Sequence, residues 1–140
     1  MILPALSLCP STITKSMLKN IIFIGIGGGL GSICRYLVSF VLAKWIDMAF
    51  PISTFLINII GSLLIGLLLG IFDKSLLSDS ARLLLVTGFC GGFTTFSAFS
   101  SENLNLILSG NWLTALSYSL LSVLLGVLSV WIGMRISSLA

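Results

Sequence analysis

Gly88-Phe-Cys-Gly-Gly-Phe-Thr-Thr-Phe-Ser-Ala-Phe-Ser-Ser-Glu102 is the stretch from which the rest of the chain is read. It lies in a run from Leu83 to Ser101 that carries no charge and has about the ~20-residue length that a membrane span needs. As a helix the run is flawed. Gly91 and Gly92 stand beside the β-branched pair Thr94 and Thr95, and both residue types weaken helical backbone. In hydrocarbon a disrupted helix leaves backbone groups without partners, which is tolerated only where they pack in protein or line a polar site. The segment therefore reads as a broken membrane helix, and broken helices at membrane depth mark ion or substrate sites.

Composition agrees with a membrane setting. Of 140 residues, 57% are hydrophobic and 8% charged, too little charge to cover a soluble domain. Four apolar runs, at about residues 21–43, 52–72, 83–101 and 113–134, are each long enough to span. The fold class is an all-α integral membrane protein of four transmembrane helices. The short gaps make residues 20–140 one domain, and four helices offer each other so few neighbours that self-association is expected. Residues 1–19, with Pro4, Pro10 and several hydroxyls, read as a disordered tail, and Met17 would serve as an alternative start. The net charge of +3 comes from loop residues, with no basic cluster of interleaved aromatics to suit a nucleic acid. Cys9, Cys34 and Cys90 are scattered and histidine is absent. A thiolate or imidazole metal site therefore lacks support, as does the commonest general base. No nucleophile–base pair speaks for an enzyme.

The first span contains Gly25-Ile-Gly-Gly-Gly-Leu-Gly31. A dinucleotide fingerprint fails there, because Leu30 takes the last glycine's place and no strand precedes it. Gly27 and Gly31, four apart, instead make a flat face for close helix contact. Arg35 follows on that face, either as a functional group within the span or as a side chain reaching for an interface. Lys44 and Trp45 mark that interface. The second span carries Thr54, Asn58, Ser62, Gly66 and Gly70 at steps of four, which share a broad face. This is either a small-residue packing seam or a polar wall, and Asn58 favours the wall because a buried amide needs several partners. In the third span Phe96 and Phe99 directly follow the expected break, among Thr95, Ser97 and Ser100. The electropositive edge of a ring can meet an anion without holding it by a full charge. Glu102 closes the segment. The fourth span places Tyr118, Ser122, Gly126 and Ser129 on one side, a polar track unless each serine bonds back to its own helix. Lys15, Lys19, Lys74, Arg82 and Arg135 fall on the side of the termini, against Lys44 opposite, which predicts cytoplasmic termini.

Three stretches carry a family likeness: Gly28-Gly-Leu-Gly-Ser-Ile-Cys-Arg-Tyr36, Thr54-Phe-Leu-Ile-Asn-Ile-Ile-Gly61 and the opening motif. Together they resemble the Fluc/CrcB fluoride channels. The resemblance implies an antiparallel dimer in the plasma (cell inner) membrane, with two fluoride pathways and passive export of cytoplasmic fluoride. It implies a structural sodium ion at the dimer centre, held by the backbone carbonyls of Gly91 and Thr94. Phe96 and Phe99 would line the pathway and Asn58 would be its amide. Thr95 would add a donor, with Thr54, Tyr118 and Ser122 on the polar track. Arg35 and Glu102 correspond to the family's first-span arginine and motif-closing acid. Gly126 departs from the likeness, since a further track serine would stand there. The termini-in charge bias departs as well, so the partner is either a second copy of opposite orientation or a paired homologous chain.

The alternative is a small four-helix multidrug or cation exporter. Such a carrier needs a membrane-embedded carboxylate, and the expected spans contain none, with Glu102 at an edge. A third reading is a non-transporting assembly subunit in which the glycine and serine stripes only pack.

Overall fold

The computed structural model describes residues 10–44, 50–74 and 77–139. All regular structure in them is helical. In order the elements are α1 (Pro10–Ala43), α2 (Ile52–Asp73), α3 (Asp79–Arg82), a π-helix (Leu83–Cys90), α4 (Gly91–Phe93), α5 (Phe96–Leu108) and α6 (Trp112–Leu139). The segments from Asp79 to Leu108 add up to one crossing, so four stretches are long and apolar enough to span a bilayer.

Two packing seams organise these crossings. α1 lies along the π-helix and α4, and α2 lies along α6. Glycines make both seams close. A Cβ on Gly27 would overlap the backbone of Leu84 and Phe89, and one on Gly31 the backbone of Phe89 and Phe93. A Cβ on Gly25 or Gly29 would meet nothing. The flat face expected from Gly27 and Gly31 is therefore the face that α1 uses. On the other seam a Cβ on Gly66 would overlap the Val130 carbonyl, one on Gly133 the Leu63 carbonyl and one on Gly70 the Ser137 side chain. Without a hydrophobic force between helices in lipid, such backbone approach is what holds them together. The five-residue stripe of α2 thus divides, with Gly66 and Gly70 in the packing seam and Thr54, Asn58 and Ser62 left for polar work.

The outer faces are apolar. Ile22, Ile26, Ile33 and Leu37 of α1 and Leu113, Val123, Leu124 and Val127 of α6 are exposed, as lipid-facing residues would be. The α5–α6 turn needs its glycine. Gly110 has φ +81°, its N–H bonds to the Ile107 carbonyl at 3.0 Å, and that of Asn111 to Leu106 at 2.8 Å. This closes α5 with a left-handed cap that side chains disfavour.

Several boundaries differ from expectation. Residues 10–19 are helical rather than part of a disordered tail. Proline suits a first helical position because its missing N–H would go unused there. Residues 1–9, Trp45 and Asp47 lie outside the described residues. The second loop is shorter than 74–82, because the Ser78 hydroxyl caps α3 by accepting from the Ala81 N–H at 3.3 Å. The third crossing continues to Leu108, so Glu102 lies inside a helix and not at its edge.

Candidate functional site

The site begins where helical bonding stops. Thr94 has φ −77° and ψ 157°, and Thr95 has φ −148° and ψ 119°. Both are extended. The Thr95 hydroxyl then caps α5, accepting from the Ala98 N–H at 3.2 Å.

Asn58 meets this point from α2. Its Oδ1 accepts from the Thr95 N–H at 2.9 Å, and its Nδ2 donates to the Thr95 carbonyl at 3.1 Å. One side chain thereby satisfies both backbone groups of an extended residue and still holds a second amide hydrogen. Two carbonyls lose their helical donors at this interruption. Gly91 would receive the Thr95 N–H four residues on, but that N–H goes to Asn58, and the Thr94 N–H goes to Cys90. Thr94 lies outside the helix that starts at Phe96, so its carbonyl has no donor in that ladder. Both oxygens are chemically suited to a hard cation.

Arg35 is placed on the same segment. Its Nε donates to the Gly92 carbonyl at 3.1 Å, and the Ser32 hydroxyl reaches that oxygen at 3.4 Å. Arg35 therefore turns inward to the interruption instead of snorkelling along its own helix. Ser32 was not singled out from the sequence, though it lies three residues before Arg35 on one helical face.

A cavity of about 290 Å³ opens between α2, α5 and α6, lined by Asn58, Ser62, Thr94, Thr95, Phe96, Phe99 and Ser122 with two aliphatic residues. The Phe96 and Phe99 rings lie 5.7 Å apart at 34°. Phe96 is 79% exposed and points out of the single chain. The Ser122 hydroxyl is buried with no hydrogen-bond partner among the described residues.

Thr54 and Tyr118 gather elsewhere, around Glu102. The Thr54 hydroxyl donates to Oε1 at 2.6 Å and the Tyr118 hydroxyl to Oε2 at 2.8 Å. Tyr118 is fully buried against Phe50 (5.3 Å), Phe55 (6.5 Å) and Phe99 (5.0 Å). Phe99 thus joins the two groups. Sequence reasoning placed Thr54 and Tyr118 on a track but missed that Glu102 takes both hydroxyl hydrogens. No sequence signal marks this pairing, since Thr54 and Glu102 lie 48 residues apart.

A family model described as "CrcB-like protein, Camphor Resistance (CrcB)" matches residues 22–134. The chain belongs to this family. Among its relatives, the fluoride-specific ion channel FluC of Flavobacterium psychrophilum is 47% identical over 121 residues, covering 86% of this chain and 98% of the relative. The protein of the same name from Azobacteroides pseudotrichonymphae is 42% identical over 118 residues, covering 84% and 94%. That from Chloroflexus aurantiacus is 45% identical over 117 residues, covering 83% and 93%. These relatives are named as ion channels, which is not an enzyme class. With four crossings and this membership, the chain is a multi-pass membrane protein, a class that in bacteria resides in the plasma membrane. Because α5 runs past Glu102 to Leu108, the end of the uncharged run no longer argues by itself against a carboxylate-driven exporter. Family membership, not the lack of an embedded acid, is what decides against that reading.

Proposed function

We propose that the protein is a fluoride-selective channel giving passive export of cytoplasmic fluoride. Fluoride is small and strongly hydrated, so a pathway must replace its water with hydrogen-bond donors while binding weakly enough to release it. The observation that carries the reading is the cavity beside Thr94 and Thr95. It combines a spare Asn58 amide hydrogen, the unpartnered Ser122 hydroxyl and two phenylalanine rings, with no ammonium or guanidinium among its lining residues. Asn58, Thr95 and Ser122 supply donors, and Phe96 and Phe99 offer ring edges. Thr54 and Tyr118 extend the polar track to Glu102. The test is fluoride efflux from liposomes holding the purified protein, read with a fluoride electrode. Fluoride release that needs the protein supports the assignment, and none removes it.

The extended pair Thr94 and Thr95 is read as a break at membrane depth, with the Gly91 and Thr94 carbonyls as ligands of a structural sodium ion. Such an ion would supply a fixed positive charge and satisfy the orphaned oxygens. Outward-facing Phe96 and exposed Gly91 suit burial against a second subunit of opposite orientation, either another copy or a paired homologous chain. Replacing sodium by a bulky organic cation should lower thermal stability and flux together. Accessibility of tags on both termini in cells tests the pairing, and a single orientation without a partner chain contradicts it.

A further inference from the structure

We infer that Ser62 and Ser122 form an anion-coordinating subsite between α2 and α6, with Ser62 supplying the hydroxyl that α6 lacks at Gly126. The inference deepens the channel reading and rests on it. Along α6, Tyr118, Ser122 and Gly126 follow at one-turn steps, so the row of hydroxyls stops at a glycine. Along α2, Ser62 comes one turn after Asn58.

The structure brings the two rows together. A Cβ built on Gly126 would have one neighbour within 4 Å, the Ser62 Oγ at 3.7 Å. The α2 hydroxyl therefore occupies the notch that the glycine leaves. Ser62 and Ser122 line the same cavity as Asn58, Phe96 and Phe99, and among the described residues neither hydroxyl has a hydrogen-bond partner. That is unusual for serine in a membrane helix, which commonly donates to a carbonyl three or four residues back. Ser100, Ser117 and Ser137 of this chain do so. For Ser122, whose hydroxyl is buried, declining the backbone is costly without another acceptor, and Ser62, half-buried, faces the same cavity. A small monovalent anion is an acceptor of the right size for two facing O–H groups, and neither donor carries a charge that would trap it.

Fluoride efflux from liposomes is measured for the wild type, Ser62→Ala, and Ser62→Ala combined with Gly126→Ser, with chloride as control. One donor to an ion is worth on the order of tenfold. Ser62→Ala is therefore expected to slow fluoride efflux about tenfold, and Gly126→Ser to restore most of it by returning a hydroxyl from the opposite helix. A purely structural role would not give this rescue. Should Ser62→Ala fail to elute as the wild type does, Ser62→Cys, nearly isosteric and a weak donor, is read in its place with the same direction expected. Wild-type efflux in Ser62→Ala, or a double variant no faster than the single one, overturns the inference while leaving the channel reading intact. A wild-type protein that passes no fluoride defeats both.

Discussion

The polar wall between α2 and α6 has two regions built from similar residues in opposite states. At the inner region Asn58 clamps Thr95 through one of its two amide hydrogens, while among the described residues the buried Ser122 hydroxyl has no partner. At the outer region Thr54 and Tyr118 direct both hydroxyls to one carboxylate at 2.6 and 2.8 Å. Hydroxyls on a helix face are therefore not equivalent donors. What matters is whether a nearby acceptor already holds the hydrogen. The inner region can receive an anion as it stands, whereas at the outer region an anion must compete with Glu102.

The largest effect that separates the two regions is expected at Asn58. Asn58→Leu leaves the N–H and C=O of Thr95 without partners, at about 1–3 kcal/mol each. Stability, read by denaturant titration in detergent, should fall by several kcal/mol and fluoride flux should reach background. Retained flux would break the comparison at its inner end. Next, Glu102→Gln keeps one acceptor oxygen, so one charge-assisted bond becomes neutral and at the other position an NH2 donor faces a hydroxyl that must turn round to accept. A stability loss of about 1–2 kcal/mol is expected, with fluoride flux preserved or raised because a negative charge leaves the track. Loss of all flux would show the outer carboxylate to be indispensable. Tyr118→Phe keeps the ring packing and removes one bond, so about 1 kcal/mol is expected, with a change in flux of only a few-fold. The smallest effect is expected for Gly25→Ala, on the open face of α1. It should shift stability by under ~1 kcal/mol, in the stabilising direction, and leave flux unchanged, which makes it the baseline for the other three.

Much of this was legible in the chain itself, where one residue determines one outcome. Apolar length predicted four crossings, and the Gly27–Gly31 spacing predicted the face of α1 that packs. The amide of Asn58 signalled a need for partners, though which partners depended on a segment 37 residues away. The π-helix at Leu83–Cys90 left no mark on composition, because Leu83 to Val86 suit an α-helix equally well. It packs closely against Gly27 and Gly31 of α1, a tertiary contact that local composition does not encode. The division of the α2 stripe was hidden for a related reason. Thr54, Ser62 and Gly66 have the same periodicity, and only the opposing residue makes one a donor and another a notch. Glu102 marks the end of the uncharged run but not the end of the helix, which continues to Leu108.

The central claim is that donors gathered beside Thr94 and Thr95 serve a fluoride pathway. Its most direct test is parallel efflux of fluoride and chloride from liposomes carrying the wild type or Asn58→Asp. That substitution keeps an acceptor for the Thr95 N–H but removes both amide hydrogens, the one on the Thr95 carbonyl and the spare one, and adds like charge. The account predicts rapid fluoride release with chloride retained for the wild type, and fluoride release abolished in the variant. Equal release of both anions by the wild type, or undiminished fluoride release by the variant, would contradict it.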